Sequence, residues 1–333
     1  MEVSTISKKM LRDLCMNSRT TITEFTKKYN LTRRNAKERI LSLERELGLH
    51  YTLELDYRLM KFDTMHIFRL NFNKKPKPED MRSIFAKSRV VQFAATTKGD
   101  FDMLILALAK NSNEYFEWEI GLSLALAKYG VQSHSSEVTV PHLGFFPLNN
   151  DTIKEAEIDD TYKNIILNLN TNSRMSMREL SKKIGLSEEL TKYHVRKHSK
   201  DGIIKRYTSI VTKPPLKFNI AYFVSYTVKE GIKERVDLER KSMYWKKLNE
   251  FPLISEFQLM LSTTGSDASF TWACYQNYEE GLRNSIQAHK HAYRVDSPMV
   301  NSAVIMEVVK GAMPLRNVDT KELYDTTLGA SMK

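Results

Sequence analysis

Residues 174–187 read R-M-S-M-R-E-L-S-K-K-I-G-L-S, and residues 19–32 read R-T-T-I-T-E-F-T-K-K-Y-N-L-T. The two align without a gap at an offset of 155. Arg19 falls on Arg174, Glu24 on Glu179, Phe25 on Leu180, Lys27 on Lys182, Lys28 on Lys183, Leu31 on Leu186 and Thr32 on Ser187. The apolar spacing continues, with Ala36 against Thr191 and Ile40 against Val195. An internal repeat takes precedence over local readings, because it sets the architecture. In each copy a hydroxyl residue is followed three positions later by glutamate (Thr21 and Glu24, Ser176 and Glu179), which spells a capping box at a helix start. Asn30 and Gly185 suit the left-handed residue that ends such a helix. Thr32 and Ser187 then cap the next helix. Two helices joined by so short a turn make a helix-turn-helix.

Working outward, Ile6, Met10, Leu11 and Leu14 have helical spacing and predict a first helix over 5–16. Helices are expected over 22–29 and 33–47, the last stopped by Gly48, and in the second copy over 160–170 and 188–200, with Gly202 as the stop. LHYTLELDYRL and IIKRYTSIV alternate like strands and would form wings. A second echo lies downstream, where 96–108 resembles 262–274. Each follows a β-rich run, turns at a glycine and re-enters a β-rich run, as a hairpin does. Its offset of 166 gives the second copy about eleven extra residues. Strands are expected at 65–72, 90–96, 102–109 and 131–140 with helices at 78–87 and 114–128. In the second copy strands are expected at 220–228, 254–262, 268–275 and 300–309 with helices at 234–249 and 278–291. This β-α-β-β-α-β order predicts a ferredoxin-like αβ-sandwich.

The fold class is therefore α+β: two copies of a winged helix-turn-helix followed by an αβ-sandwich. The expected divisions are 1–60 and 61–145 for the first copy, 151–213 and 214–311 for the second, and a tail at 312–333. The boundary falls in PHLGFFPLNND, residues 141–151, where Pro, Gly and Asn cluster.

Charge supports two modules of one kind. Residues 1–60 carry 12 basic and 8 acidic side chains, and residues 151–217 carry 14 and 9; residues 61–150 (11 and 9) and 218–333 (14 and 14) are close to neutral. Most of the +11 net charge thus sits in the two helix-turn-helix segments, as expected of modules that meet a polyanion. Two distant cysteines, Cys15 and Cys274, exclude a disulfide framework or a cysteine zinc site as the organising principle. No apolar run approaches the ~18 residues of a membrane span, and the first residues lack the apolar core of a signal peptide. A cytoplasmic protein is expected.

The motif R-x-S-x-x-E-L-x-x-x-x-G-L-S followed by G-I-I-x-x-Y, at Arg174, Ser176, Glu179, Leu180, Gly185-Leu186-Ser187, Gly202-Ile203-Ile204 and Tyr207, resembles the Lrp/AsnC (feast/famine) regulators. Gly99-Asp100-Phe101-Asp102 is similar to the G-[DE]-[YF]-D hairpin of that family's effector (RAM-type) domain. Gly265-Ser266-Asp267-Ala268 loses the last acidic residue. The resemblance covers nearly the whole chain twice, so this would be a tandem variant. It implies transcriptional regulation through double-stranded DNA, no catalysis and no cofactor. It also implies sandwich domains that pair through their sheets, within the chain or between chains. An amino acid or other small molecule would be the effector, with Gly99, Asp100 and Asp102 as its candidate contacts.

A reading helix presents polar and basic residues outward from an apolar stripe. In the first copy these are Thr32, Arg33, Arg34, Asn35 and Lys37; in the second, Lys192, Tyr193, Arg196 and Lys197. Arginine can bridge guanine edges and asparagine adenine edges. Lys205 and Arg206 in the second wing are expected at phosphates. Glu188 and Glu189 suit the helix dipole but repel phosphate. His194 and His198 have the i, i+4 spacing of zinc ligands, yet nothing completes a site, and they are read as ordinary positions of their helix. Two other readings stay open: a unit-fused enzyme like the sirohaem decarboxylases, which share this fold, and an adaptor that binds no DNA.

Overall fold

The computed structural model describes residues 4–139, 148–211, 218–225, 258–264, 269–275 and 299–311, with single positions 279 and 283. The expected boundary residues 141–147, the turn at 265–268, the helix at 234–249, the tail and most of the helix at 278–291 lie outside the described residues.

The first helical module comprises α1 (Thr5–Met16), α2 (Ile22–Tyr29) and α3 (Arg33–Leu47), followed by strand β1 (Leu49–Leu55). Its local logic is the expected one. The Thr21 hydroxyl accepts from the Glu24 amide and the Glu24 carboxylate accepts from the Thr21 amide, a complete capping box. Asn30 (φ 50°) and Gly48 (φ 57°) close α2 and α3 in the left-handed conformation. Next come β2 (Thr64–Phe72), α4 (Pro78–Ala86), β3 (Val91–Gly99), β4 (Met103–Ala109), α5 (Ser112–Leu126) and β5 (Val131–Thr139). Met103, Ile105 and Ala107 of β4 pack in one cluster with Met81 and Phe85 of α4 and Leu122 and Leu126 of α5. Leu104, Leu106 and Leu108 of the same strand join a different cluster with Ile67, Phe93 and Ile305. A strand buried on both faces loses the alternation of a half-exposed one, as the run MLILALA does.

A short helix, α6 (Asn150–Glu155), starts where the sequence suggested only a boundary. Asn149 caps it by accepting from the Thr152 amide. The second module follows as α7 (Asp160–Thr171), α8 (Met177–Ile184), α9 (Glu188–Lys200) and strand β6 (Ile204–Val211). Here the expected capping box is only half formed. The Ser176 hydroxyl accepts from the Glu179 amide, while the Glu179 carboxylate lies 3.9 Å from the Lys183 ammonium, one turn on. The remaining described strands are β7 (Phe218–Ser225), β8 (Gln258–Thr264), β9 (Ser269–Tyr275) and β10 (Met299–Lys310).

Eight strands close into one barrel in the order β10-β3-β4-β2-β5-β8-β9-β7. Two four-stranded sheets would each leave two edges of unpaired backbone groups; closure removes them. Two antiparallel seams join the halves: β10 on β3, with Ala303 opposite Gly99, and β5 on β8, with Val138 opposite Thr264.

Candidate nucleic-acid interface

The wings do not project as separate strands. β1 and β6 pair with each other, antiparallel, from Leu49 opposite Val211 to Leu55 opposite Ile204. Val211 belongs to the core of the first module and Leu53 and Leu55 to that of the second, so each wing end packs on the other module.

The seam beside this ribbon is built twice over, at the repeat offset. The tripeptide Asn-Ser-Arg occurs at 17–19 and again at 172–174. In both, the asparagine side chain accepts from the arginine amide two residues on, at 3.0 Å. The two serine hydroxyls, both fully buried, meet at 2.6 Å. The Ser18 amide donates to the Tyr207 carbonyl and the Ser173 amide to the Tyr51 carbonyl. Arg19 donates to the Ser173 carbonyl at 2.7 Å and lies 4.0 Å over the Tyr207 ring. Arg174 donates to the Thr20 carbonyl and lies 4.9 Å over the Tyr51 ring. Contacts reciprocated in this way are the signature of a two-fold interface. Sequence reasoning matched the two arginines but missed their role. The signal was available: an identical tripeptide that belongs neither to an apolar stripe nor to a reading helix.

α3 and α9 follow this seam at the same offset along the chain. On α3, Ala36, Ile40, Leu43 and Leu47 are buried, and Thr32, Arg33, Arg34, Asn35 and Lys37 are all exposed. Thr32 also caps the helix, accepting from the Asn35 amide. Arg34 pairs with Glu38 at 2.8 Å, yet its side chain stays 86% exposed, so the pair holds it only weakly. On α9, Tyr193, Arg196 and Lys197 are exposed and Lys192 is half-exposed. Lys192 lies 2.7 Å from Glu188 and holds that carboxyl below its usual range. Glu189, Lys192, Tyr193, Arg196, Lys197 and Lys200 border a shallow, open depression of about 430 Å³.

Lys205 and Arg206 stand elsewhere. Arg206 has 9% of its side chain exposed and is paired with Glu54 of β1 at 3.0 Å. Lys205 lies 3.7 Å from Asp56. Pairing of the two wings brings these cations to Glu54 of β1 and to Asp56 just beyond it.

The residues matched to the effector hairpin also serve a seam. Gly99 has φ 152°, and a Cβ there would collide with the Ser302 carbonyl of β10. The Asp100 amide donates to that same carbonyl at 2.9 Å, and the Asp100 carboxylate accepts from the Ser302 amide at 2.7 Å. Asp102 accepts from the Phe72 amide and meets the Lys75 ammonium at 2.6 Å. Gly99 and Asp100 thus bind β10 to β3, and Asp102 secures its own half. His198 is buried, stacked on Tyr162 with ring centroids 3.3 Å apart. Burial lowers its pKa most strongly. Among the described residues no group of His, Cys, Asp or Glu could hold a metal ion, and no helix is long and apolar enough to cross a membrane.

The winged helix-turn-helix DNA-binding family matches residues 158–205. The HTH-type transcriptional regulator FL11 of Pyrococcus furiosus is 32% identical over 108 residues, 32% of this chain and 64% of that one. The HTH-type transcriptional regulator LrpC of Bacillus subtilis is 40% identical over 79 residues, 24% and 55% of the two chains. Over these stretches the chain is similar to HTH-type transcriptional regulators. It spans less than two thirds of the length of FL11 and of LrpC. One solved structure, that of the sirohaem decarboxylase NirDL, covers 98% of this chain and 99% of its own at a TM-score of 0.57 and 11% identity. That likeness concerns the fold alone, and it runs through both halves.

Proposed function

We propose that this chain is a DNA-binding transcription regulator of Lrp/AsnC type, built as two units that pair within one polypeptide. The reading rests on one observation above all. Two helices with exposed basic residues, α3 and α9, belong to modules joined at the Ser18–Ser173 seam. Arg33, Arg34, Asn35 and Lys37 on α3, and Lys192, Arg196 and Lys197 on α9, are the residues assigned to DNA, with Thr32 and Tyr193 beside them. The paired wings β1 and β6 join the two modules. Fluorescence titration of the intact chain with double-stranded DNA tests the reading. Binding should weaken steeply between low and moderate salt, because phosphate contacts release counterions. Absence of binding, or a flat salt response, overturns it.

A second reading is favoured by the whole-length likeness to NirDL: an enzyme of two fused units acting on a tetrapyrrole. The purified protein would then carry a Soret absorption band and no DNA affinity. The exposed arginines of α3, for which such an enzyme has no use, support the first reading over the second.

A further inference from the structure

The elements that make the two-fold seam are nearly the same on its two sides, and the faces it presents are not. At the offset of 155, Arg33 and Arg34 in the first turn of α3 stand where Glu188 and Glu189 stand on α9. Leu41 and Ser42 stand where α9 carries Arg196 and Lys197. Positive charge therefore begins α3 and ends α9. The difference is confined neither to one residue nor to the core. Leu41 is 49% exposed, and its counterpart Arg196 is exposed too.

A helix in the major groove reads base edges mainly with its N-terminal residues. Arginines there match guanine O6 and N7; carboxylates there accept from the cytosine amino group and repel phosphate. The two ends thus ask for different bases. In a homodimer the operator's palindrome mirrors the symmetry of identical subunits. Here the order of the repeat is kept, and the charge at the start of the third helix of each copy is not.

Resting on the DNA-binding reading, we infer that the chain recognises a non-palindromic duplex made of two unlike half-sites, and lies on it in a single orientation. The α3 half-site is the arginine-read one, and the α9 half-site is gripped through phosphates by the far end of its helix.

Selection of bound duplexes from a random double-stranded library with the intact chain tests this. The expected outcome is one asymmetric pattern. Left–left and right–right palindromes made from it should bind on the order of tenfold more weakly for each mismatched base pair. The double variant E188R/E189R, both positions on the surface of α9, should shift the selected pattern toward a palindrome of the α3 half-site. A palindromic pattern from the unaltered chain overturns the inference and leaves DNA binding intact. So does enrichment without sequence preference. No enrichment at all overturns the regulator reading itself, and this inference with it.

Discussion

In the first module Phe25, Ala36, Ile40 and Leu43 close a core of their own with α1 and the last residue of β6. In the second, Tyr162, Ile165, Leu180 and Val195 belong to a cluster that continues through Leu53 and Leu55 into the barrel strands. The same three-helix scaffold is therefore a separate body on one side and an extension of the barrel on the other. The side with its own core carries α3, which begins with two arginines. The side fused to the barrel carries α9, which begins with two glutamates and holds a buried histidine. A common scaffold needs only its apolar spacing and its caps, so the outward faces were free to diverge.

Four measurements test this contrast. The largest effect is expected where the two modules meet. Arg206→Ala removes the cation that faces Glu54, 6% exposed, and should lower unfolding free energy by about 3–5 kcal/mol. Arg34→Ala, at an exposed pair, should cost less than about 0.5 kcal/mol in the same denaturant titration. Similar losses for both would place the ribbon pair at the surface. In DNA binding the order reverses: Arg33→Ala with Arg34→Ala should cost about 2–4 kcal/mol in affinity, with the melting temperature nearly unchanged. Glu188→Ala with Glu189→Ala should leave affinity equal or raise it a few-fold. Equal losses from both pairs would erase the difference between the helices.

Acid should act on the second module first. Burial lowers the pKa of His198, with Lys197 and His194 adding to it against the opposite pull of Asp159 and Asp201. The unfolded chain takes up a proton near pH ~6.5 that the folded module resists. Stability owed to neutral His198 is thus complete above about that pH and declines as pH falls below it. Leu43 holds the equivalent position in the first module. Protection factors of the α9 amides, referred to intrinsic exchange at each pH, should fall between pH 7 and 5 while those of α3 hold, and His198→Leu should remove the difference. Parallel falls in both helices, or an unchanged fall in the variant, would sink this assignment. The last contrast concerns the caps: Thr21→Ala removes two bonds of the hydroxyl, one accepted from the Glu24 amide and one donated to the Glu24 carboxylate, and Ser176→Ala removes one. Each should cost about 1 kcal/mol, Thr21 the more; equal thermal shifts would argue that the bond from the Thr21 hydroxyl to the Glu24 carboxylate contributes nothing.

Most of the elements were legible in the sequence because their causes are local. Asn30 ends α2 within a few residues of Thr21, which begins it, and the Pro78 helix and the MLILALA strand stand where periodicity put them. Short element α6 was missed, because its cap at Asn149 was read as boundary punctuation. The candidate site was legible as a list and less so as a place. The α3 residues do stand exposed, whereas Lys205 and Arg206, basic and on a predicted wing, turned inward.

The repeat, the caps, the apolar stripes and the uneven charge follow from the order of residues alone, since each depends on neighbours within about one helical turn or one hairpin. Which strand lies beside which does not. That β1 would pair with β6, that Arg206 would find Glu54, and that the Gly99 hairpin would clasp β10 depend on partners 150 to 200 residues away. Any exposed strand edge offers the same backbone groups, so only the folded chain, through the packing that goes with each pairing, selects among them.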